Sequence, residues 1–430
     1  MISQDWSSLQ LNEGAQYGKE KTPYFLYAFT ALAAIGGFLF GYDTGIISGA
    51  ILLIREDFRL NTAWQEFIVA STIGSAAVFA LVGGYLNDKV GRKPVILLAS
   101  VFFTSGSLCM AFADDKYMLV IGRIIVGTGI GLSSTTTPMY IAESAPAPIR
   151  GRLVSVNIVM LAAGQFIANC VAGAFSFNSY GWRYMLGLGS IASVLQFAAF
   201  LFMPESPRWL IIRNRHEEAK AVLLKLRGSS VSIEDEYEII RSSILSVAED
   251  MKHRGESPCY KNRAAHCSCK CYKPLQFLEH WVVGCGLQII QQLAGINTVM
   301  YYSASIITMA GIRSAKTAIW LSALTSSVNF LFTLAGLYLV EKMGRRPLTL
   351  ISLVGAICSL AVLGIGFQME VIHSPPVDYT EFPNSNCSAY RTCGECRMDI
   401  ACGYCYEELS SSSVKDDVIV TAYKIILLTT

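Results

Sequence analysis

The sequence predicts an all-α membrane protein, and three observations carry the prediction. Apolar residues make up 53% of the 430 positions and charged residues only 15%, against about 25% charged in soluble domains. Mean hydropathy is +0.43. Nine stretches reach the length of roughly 20 mostly apolar residues that a bilayer-crossing helix needs. The stretches are continuous, where a β-barrel would show short alternating segments. Backbone polar groups in lipid must be satisfied within the segment, so each stretch reads as a helix. A formal net charge of +2 excludes a strongly basic nucleic-acid binder and an acidic tail protein.

Taken in order, 1–24 is a polar N-terminal segment of mixed charge with no secretory leader pattern. A six-helix bundle over 25–203 follows, with spans at Phe25–Leu53, Phe67–Leu86, Val95–Ala113, Met118–Ile141, Leu153–Phe175 and Tyr184–Met203. Residues 204–280 form a charged linker with short helices. Within it HEEAKAVLLKLR at 216–227 has the periodicity of an amphipathic helix. Three further spans occupy 281–367, at Trp281–Met309, Ala318–Val340 and Leu348–Phe367. A cysteine-rich segment covers 368–417. The tail, 418–430, is apolar but too short to cross a bilayer. Six spans followed by three predict an incomplete second bundle, as in a fragment or a truncated product.

Loop charge sets an orientation. Lys89, Arg92 and Lys93 follow span two, Arg150 and Arg152 follow span four, the charged linker follows span six, and Lys342, Arg345 and Arg346 follow span eight. The opposite loops carry fewer cations, several of them beside acids. Excess Lys and Arg marks the cytoplasmic side, so the N-terminus is expected inside and the segment after span nine outside. That segment holds Cys387, Cys393, Cys396, Cys402 and Cys405, and Asn386-Cys387-Ser388 fits the N-glycosylation pattern. Clustered cysteines in an oxidising compartment read as disulfide candidates. A CxxC pair also suits zinc, but on the exterior side the disulfide reading is preferred and no metal site is expected. Cys259, Cys267, Cys269 and Cys271 of the linker are expected to be reduced thiols.

Residues 83–94 read GGYLNDKVGRKP and 336–347 read GLYLVEKMGRRP, with seven of twelve positions identical. One copy alone is a glycine turn with snorkelling cations. Two copies at equivalent topological positions predict two related halves, an architecture of transporters.

Ionisable residues within spans are costly and default to functional candidates. Asp43 of span one and Arg123 of span four stand out. A carboxylate that gains and loses an arginine partner takes up and releases a proton; the alternative is a static ion pair. Span seven carries Gln288, Gln291 and Gln292 on one helical face, then Gly295, which loosens the helix before Asn297. Amides donate and accept hydrogen bonds, which suits a neutral polyol. Asn329, Asn157 and Gln165 add to the set; the competing role for any one of them is to join helices.

GGFLFGYDTG at 36–45, NDKVGRK at 87–93, PMYIAESAPAPIRG at 138–151, PESPRWL at 204–210, QQLAGIN with a tyrosine pair at 291–302, and EKMGRRP at 341–347 resemble the sugar porter branch of the major facilitator superfamily. The resemblance implies two six-helix bundles around a central sugar site, worked by alternating access. It implies that Gln291, Gln292, Asn297 and Asn329 bind substrate hydroxyls and that Phe40 and Tyr301 are aromatic contacts; Gln165 joins the expected substrate-binding set from the amide pattern of span five. It makes Asp43 and Arg123 the proton-coupling pair. Asp88, Arg92, Glu143, Arg150, Glu341 and Arg345 resemble the cytoplasmic salt bridges that hold the outward-open state. Ile158 stands where many hexose carriers have glutamine, which fits a different polyol. The acid at Asp43 and the cysteine-rich exterior loop, which also resembles a plexin-semaphorin-integrin motif, are similar to features of the proton-coupled myo-inositol cotransporters.

The expectation is therefore no enzyme but a multi-pass protein of the plasma membrane, importing myo-inositol or a related polyol by proton symport. Its partners are the small-molecule substrate and the lipid bilayer, with no nucleic acid and no cofactor beyond the proton as coupling ion. The alternatives are a facilitative hexose carrier and a truncated product that does not transport.

Overall fold

The computed structural model describes residues 24–178, 180–228, 233–253, 275–309, 314–372, 405–406 and 423–424. Among them nine helices are long and apolar enough to cross a membrane: Tyr24–Asp57, Thr62–Val90, Arg92–Ala111, Lys116–Ser144, Ala147–Phe175, Gly181–Phe202, Val282–Thr308, Ala315–Val340 and Arg346–Gly366. All nine expected spans are present, and most run past the apolar stretch into polar flanks. Local capping explains the extension. The Asn61 side chain accepts the Trp64 N–H at 2.9 Å, and Asp115 accepts the Met118 N–H at 2.7 Å, satisfying N–H groups that a helix start leaves free. Both copies of the repeated turn pivot on a glycine in the left-handed region, Gly91 at φ +109° and Gly344 at φ +81°, where a Cβ would be strained.

The chain divides into two compact units, Met1–Tyr338 and Leu339–Thr430. In the first, spans one and four are the most enclosed. Span one packs on span five through small residues. A Cβ on Gly41 would overlap the Leu161 carbonyl oxygen, and one on Gly164 would overlap the Phe38 carbonyl oxygen. Such contacts let membrane helices approach closely where apolar burial gives no drive. Span four lies against span two in the same way through Gly127 and Gly131.

Two apolar cores result. One joins Ile46, Phe103, Met110, Val126, Trp182 and Met185. The other joins Phe29, Tyr140, Ile141 and Phe200 at the basic end of the bundle to Leu210, Leu223, Leu226 and Tyr237 of the linker. The linker helices Pro207–Ile212, His216–Arg227 and Ile233–His253 are thereby docked on the first bundle. The middle one matches the amphipathic segment expected at 216–227. Arg227, buried, is held by the Glu236 carboxylate at 2.6 Å and donates to the Ser144 carbonyl at 2.8 Å, at the end of span four.

Span seven is broken into Leu275–Leu293 and Ile296–Met309, with Gly295 at φ +78° between them. The second unit contains the helix Arg345–Ile372 and an antiparallel pairing of Cys405–Tyr406 with Tyr423–Lys424. The candidates Asn386, Cys387, Cys393, Cys396 and Cys402 lie outside the described residues, as does the Cys405 side chain.

Candidate functional site

The site begins with a buried ion pair between adjacent helices. Span one supplies Asp43 from a glycine-rich turn, and span four supplies Arg123. Arg123 Nη1 donates to Asp43 Oδ1 at 2.6 Å, and the side chains are 0% and 3% exposed. Arg123 Nε reaches the Ile68 carbonyl at 3.4 Å. Asp43 Oδ2, Arg123 Nη2 and the neighbouring Thr72 Oγ1 have no partner among the described residues. The pair is thus held by one strong charge-assisted bond while half of each group's capacity is unused. Such a pair is poorly matched to static stabilisation and suited to a change of partner.

At the end of the bundle away from the basic loops, a polar network joins spans one and five to spans seven and eight. Ser48 Oγ lies 2.8 Å from Ser303 Oγ, and Ser303 in turn bonds the Ser322 hydroxyl. Ser322 donates to Asn169 Oδ1 at 2.9 Å, and Asn169 Nδ2 donates to Ser326 Oγ at 2.8 Å. All five side chains are buried. One turn deeper, Asn329 Nδ2 donates to Gln165 Oε1 at 3.2 Å, beside stacked Phe166 and Phe330. The far end is closed by these contacts.

Not every expected residue joins them. Gln291, Gln292 and Asn297 are exposed, and Asn297 Nδ2 donates to Gln292 Oε1 at 2.8 Å rather than meeting Gln165 or Asn329. Tyr301 is buried with Ile47 and Val69, and its hydroxyl lies 3.5 Å from Thr44 Oγ1. Phe40 is half-buried and lines a small cavity within the first bundle, with Phe103 and Gln196.

At the basic end, Arg92 Nη2 meets Glu143 Oε1 at 2.9 Å and the exposed Asp88 at 3.8 Å. Glu143 Oε2 accepts from the Ser206 hydroxyl at 2.5 Å. Arg150 reaches the Ala145 carbonyl at 3.5 Å. The Glu341 and Arg345 side chains fall outside the described residues. The Arg92–Glu143 pair and the far-end network are made together.

Sequence reasoning missed Glu205. Its carboxylate accepts the backbone N–H groups of Arg92 at 2.9 Å, Lys93 at 3.2 Å and Ser206 at 2.8 Å. Burial pushes this carboxyl above its ordinary range, against the pull of those N–H groups and of Arg92. Ser48, Asn169, Ser303, Ser322 and Ser326 were missed as well. A signal existed: Ser322, Ser326 and Asn329 recur at i, i+4 and i+7, and Gln165 and Asn169 at i and i+4, one polar stripe on each apolar helix.

Comparison with known proteins adds to this geometry. The family model described as "Sugar (and other) transporter" matches residues 29–377. The chain is 44% identical over 414 residues to the "Proton myo-inositol cotransporter" of Homo sapiens, covering 95% of this chain and 62% of that protein. It is 40% identical over 423 residues to "Probable inositol transporter 2" of Arabidopsis thaliana, covering 92% of this chain and 71% of that protein. Among solved structures it is similar to the partially occluded inward-open conformation of the xylose transporter XylE from E. coli. The TM-score is 0.67 and the identity 29%, over 81% of this chain and 78% of that one. The chain spans 62% of the length of its human relative.

Proposed function

Because the chain belongs to the sugar transporter family, we propose that it is built to carry myo-inositol or a related polyol across a membrane together with a proton. The observation that carries the reading is the buried, half-satisfied Asp43–Arg123 pair, set beside an amide-lined junction between helices. The similarity to relatives named for inositol transport and proton cotransport supports it.

In this reading the basic end faces the cytoplasm, with the N-terminus inside, and the end closed by the Asn169 network faces out. A proton arriving from outside neutralises Asp43 and releases Arg123. The amides of Gln165, Asn329, Gln291, Gln292 and Asn297 donate to and accept from polyol hydroxyls. A polyol offers many hydroxyls and no charge, so amides match it where charged side chains would remain unpaired. Asp88, Arg92, Glu143, Arg150, Glu341 and Arg345 act as the cytoplasmic gate. Substrate and proton leave together when both favour the same member of a two-state equilibrium.

The test is uptake of labelled myo-inositol into proteoliposomes containing the 430-residue chain, with and without an inward proton gradient. Gradient-driven accumulation that disappears in Asp43→Asn supports the reading. Uptake indifferent to the gradient and competed by glucose would identify a facilitative hexose carrier instead. An inert chain beside an active relative would mean that the described helices hold the chemistry without completing the transport cycle.

A further inference from the structure

The stretch of span one that carries the acid also holds the far-end closure of span seven. Thr44, the next residue after Asp43, places Oγ1 3.5 Å from the Tyr301 hydroxyl. Ser48 Oγ lies 2.8 Å from Ser303 Oγ and accepts the backbone N–H of Ala304 at 3.2 Å. Thr44 and Ser48 are one helical turn apart and share a face, so together they hold Tyr301, Ser303 and Ala304. All five residues are buried. The segment they hold, Ile296–Met309, is a helix in its own right, joined to the rest of span seven through Gly295 at φ +78°. A helix attached at a backbone break moves as a rigid arm.

We propose that Thr44 and Ser48 are positioning residues that pass the state of the Asp43–Arg123 pair to this arm, so that span one couples the proton to the far-end gate. The inference rests on the proton-coupled reading above. The physical chain is short. Arg123 belongs to span four and also reaches the Ile68 carbonyl of span two, so the ion pair fixes the Asp43 turn of span one against two neighbours. Neutralising Asp43 removes a charge-assisted bond and leaves that turn free to rotate or shift. Because Ser48 lies just over one turn beyond Asp43, about 7 Å along the axis, a shift at Asp43 is carried to the Ser303–Ala304 contact by the helix itself. The titratable and charged groups facing Asp43 are Arg123 from span four, Tyr301 from span seven and Tyr42 of its own helix; Tyr302 faces Tyr301, with Glu66 of span two towards Tyr302. Of these, Arg123 is the group in ion-pair contact with Asp43.

The test is hydrogen–deuterium exchange of Ile296–Met309 in the full chain in lipid nanodiscs, followed as a function of pH and read as protection factors, with the intrinsic base-catalysed pH dependence of amide exchange divided out. Protection in the wild type should change about tenfold across the titration of Asp43, and Asp43→Asn should remove that dependence. Ser48→Ala should leave the arm about tenfold less protected, with a protection factor that no longer varies with pH, while Ser48→Thr, which keeps the hydroxyl, restores the response. If Ser48→Ala retained the wild-type pH response, the coupling role would be overturned and the proton-coupled reading would stand. If the wild type itself showed no pH response and no gradient-driven uptake, both would fall together.

Discussion

Replacing Arg123 with leucine tests the buried pair most directly. The substitution removes a guanidinium that is 0% exposed from a carboxylate that is 3% exposed, 2.6 Å away. Leucine keeps part of the aliphatic stem but not the guanidinium or its bond to the Ile68 carbonyl, so the largest part of the loss is electrostatic. Breaking one side of a buried pair costs about 3–5 kcal/mol, because the remaining charge has neither water nor a partner. At roughly 2–4 °C per kcal/mol for a bundle of this size, the thermal midpoint of purified Arg123→Leu in detergent should fall by about 10 °C at pH 7.5. Adding Asp43→Asn removes the stranded charge. The double variant should therefore recover most of the loss, to within about 1–2 kcal/mol of wild type, since replacing both members of a buried pair is often close to neutral. Lowering the pH should narrow the deficit of the single variant, because a protonated Asp43 needs no counter-charge. Tryptophan fluorescence on heating reads all three. A double variant as unstable as Arg123→Leu would refute the reasoning, since the instability would then come from lost packing rather than from an unpaired carboxylate.

Three further outcomes are expected. Asn169→Ala removes the bonds to Ser322 and Ser326, each about 0.6 kcal/mol between membrane helices. A cysteine placed at the fully buried Ile319 should then label several-fold faster with a membrane-impermeant maleimide, and unchanged labelling would show that the network does not hold the closure. Gly41→Val drives a branched side chain into the Leu161 carbonyl, so the variant should fail to yield monodisperse protein by size-exclusion chromatography, whereas Gly74→Val, where a Cβ meets nothing, should behave as wild type. Burial pushes the Glu205 carboxyl above its ordinary 4.5, so the protonated form suits the fold better. The stability from this group is present below pH 4.5 and is lost as pH rises through the raised value. The thermal midpoint of wild type relative to Glu205→Gln should accordingly decline as pH rises above 4.5, and a difference that stays flat to pH 7 would contradict the cause assigned here.

The bilayer explains why so much was legible. A solvent without hydrogen-bonding groups forces every crossing segment into a helix, so apolar runs alone determined nine spans. The repeated GR turn announced its glycine, because only glycine accepts φ near +109° or +81° at no cost. The amphipathic pattern at 216–227 determined the linker helix, since apolar residues at helical spacing must be covered by something. Asp43 and Arg123 were legible as a pair because an isolated charge in a span is so costly that it demands a partner. Partner choice among neutral polar groups was decided only in three dimensions. Asn329 meets Gln165 across 164 residues of sequence, while Gln291, Gln292 and Asn297, which share its chemistry, stay apart from it. The burial of Tyr301 against Ile47, Val69 and Thr44, in place of an open aromatic contact, followed from the break at Gly295 and from how the arm beyond it leans on span one. Serine and asparagine in an apolar helix carry little sequence signal, because each can bond its own backbone one turn away. Which of them instead bonds a neighbouring helix depends on distances that packing alone sets. The sequence by itself thus determined where this chain crosses the membrane and which charges it buries. The tertiary structure decided which end is closed, and by which hydroxyls.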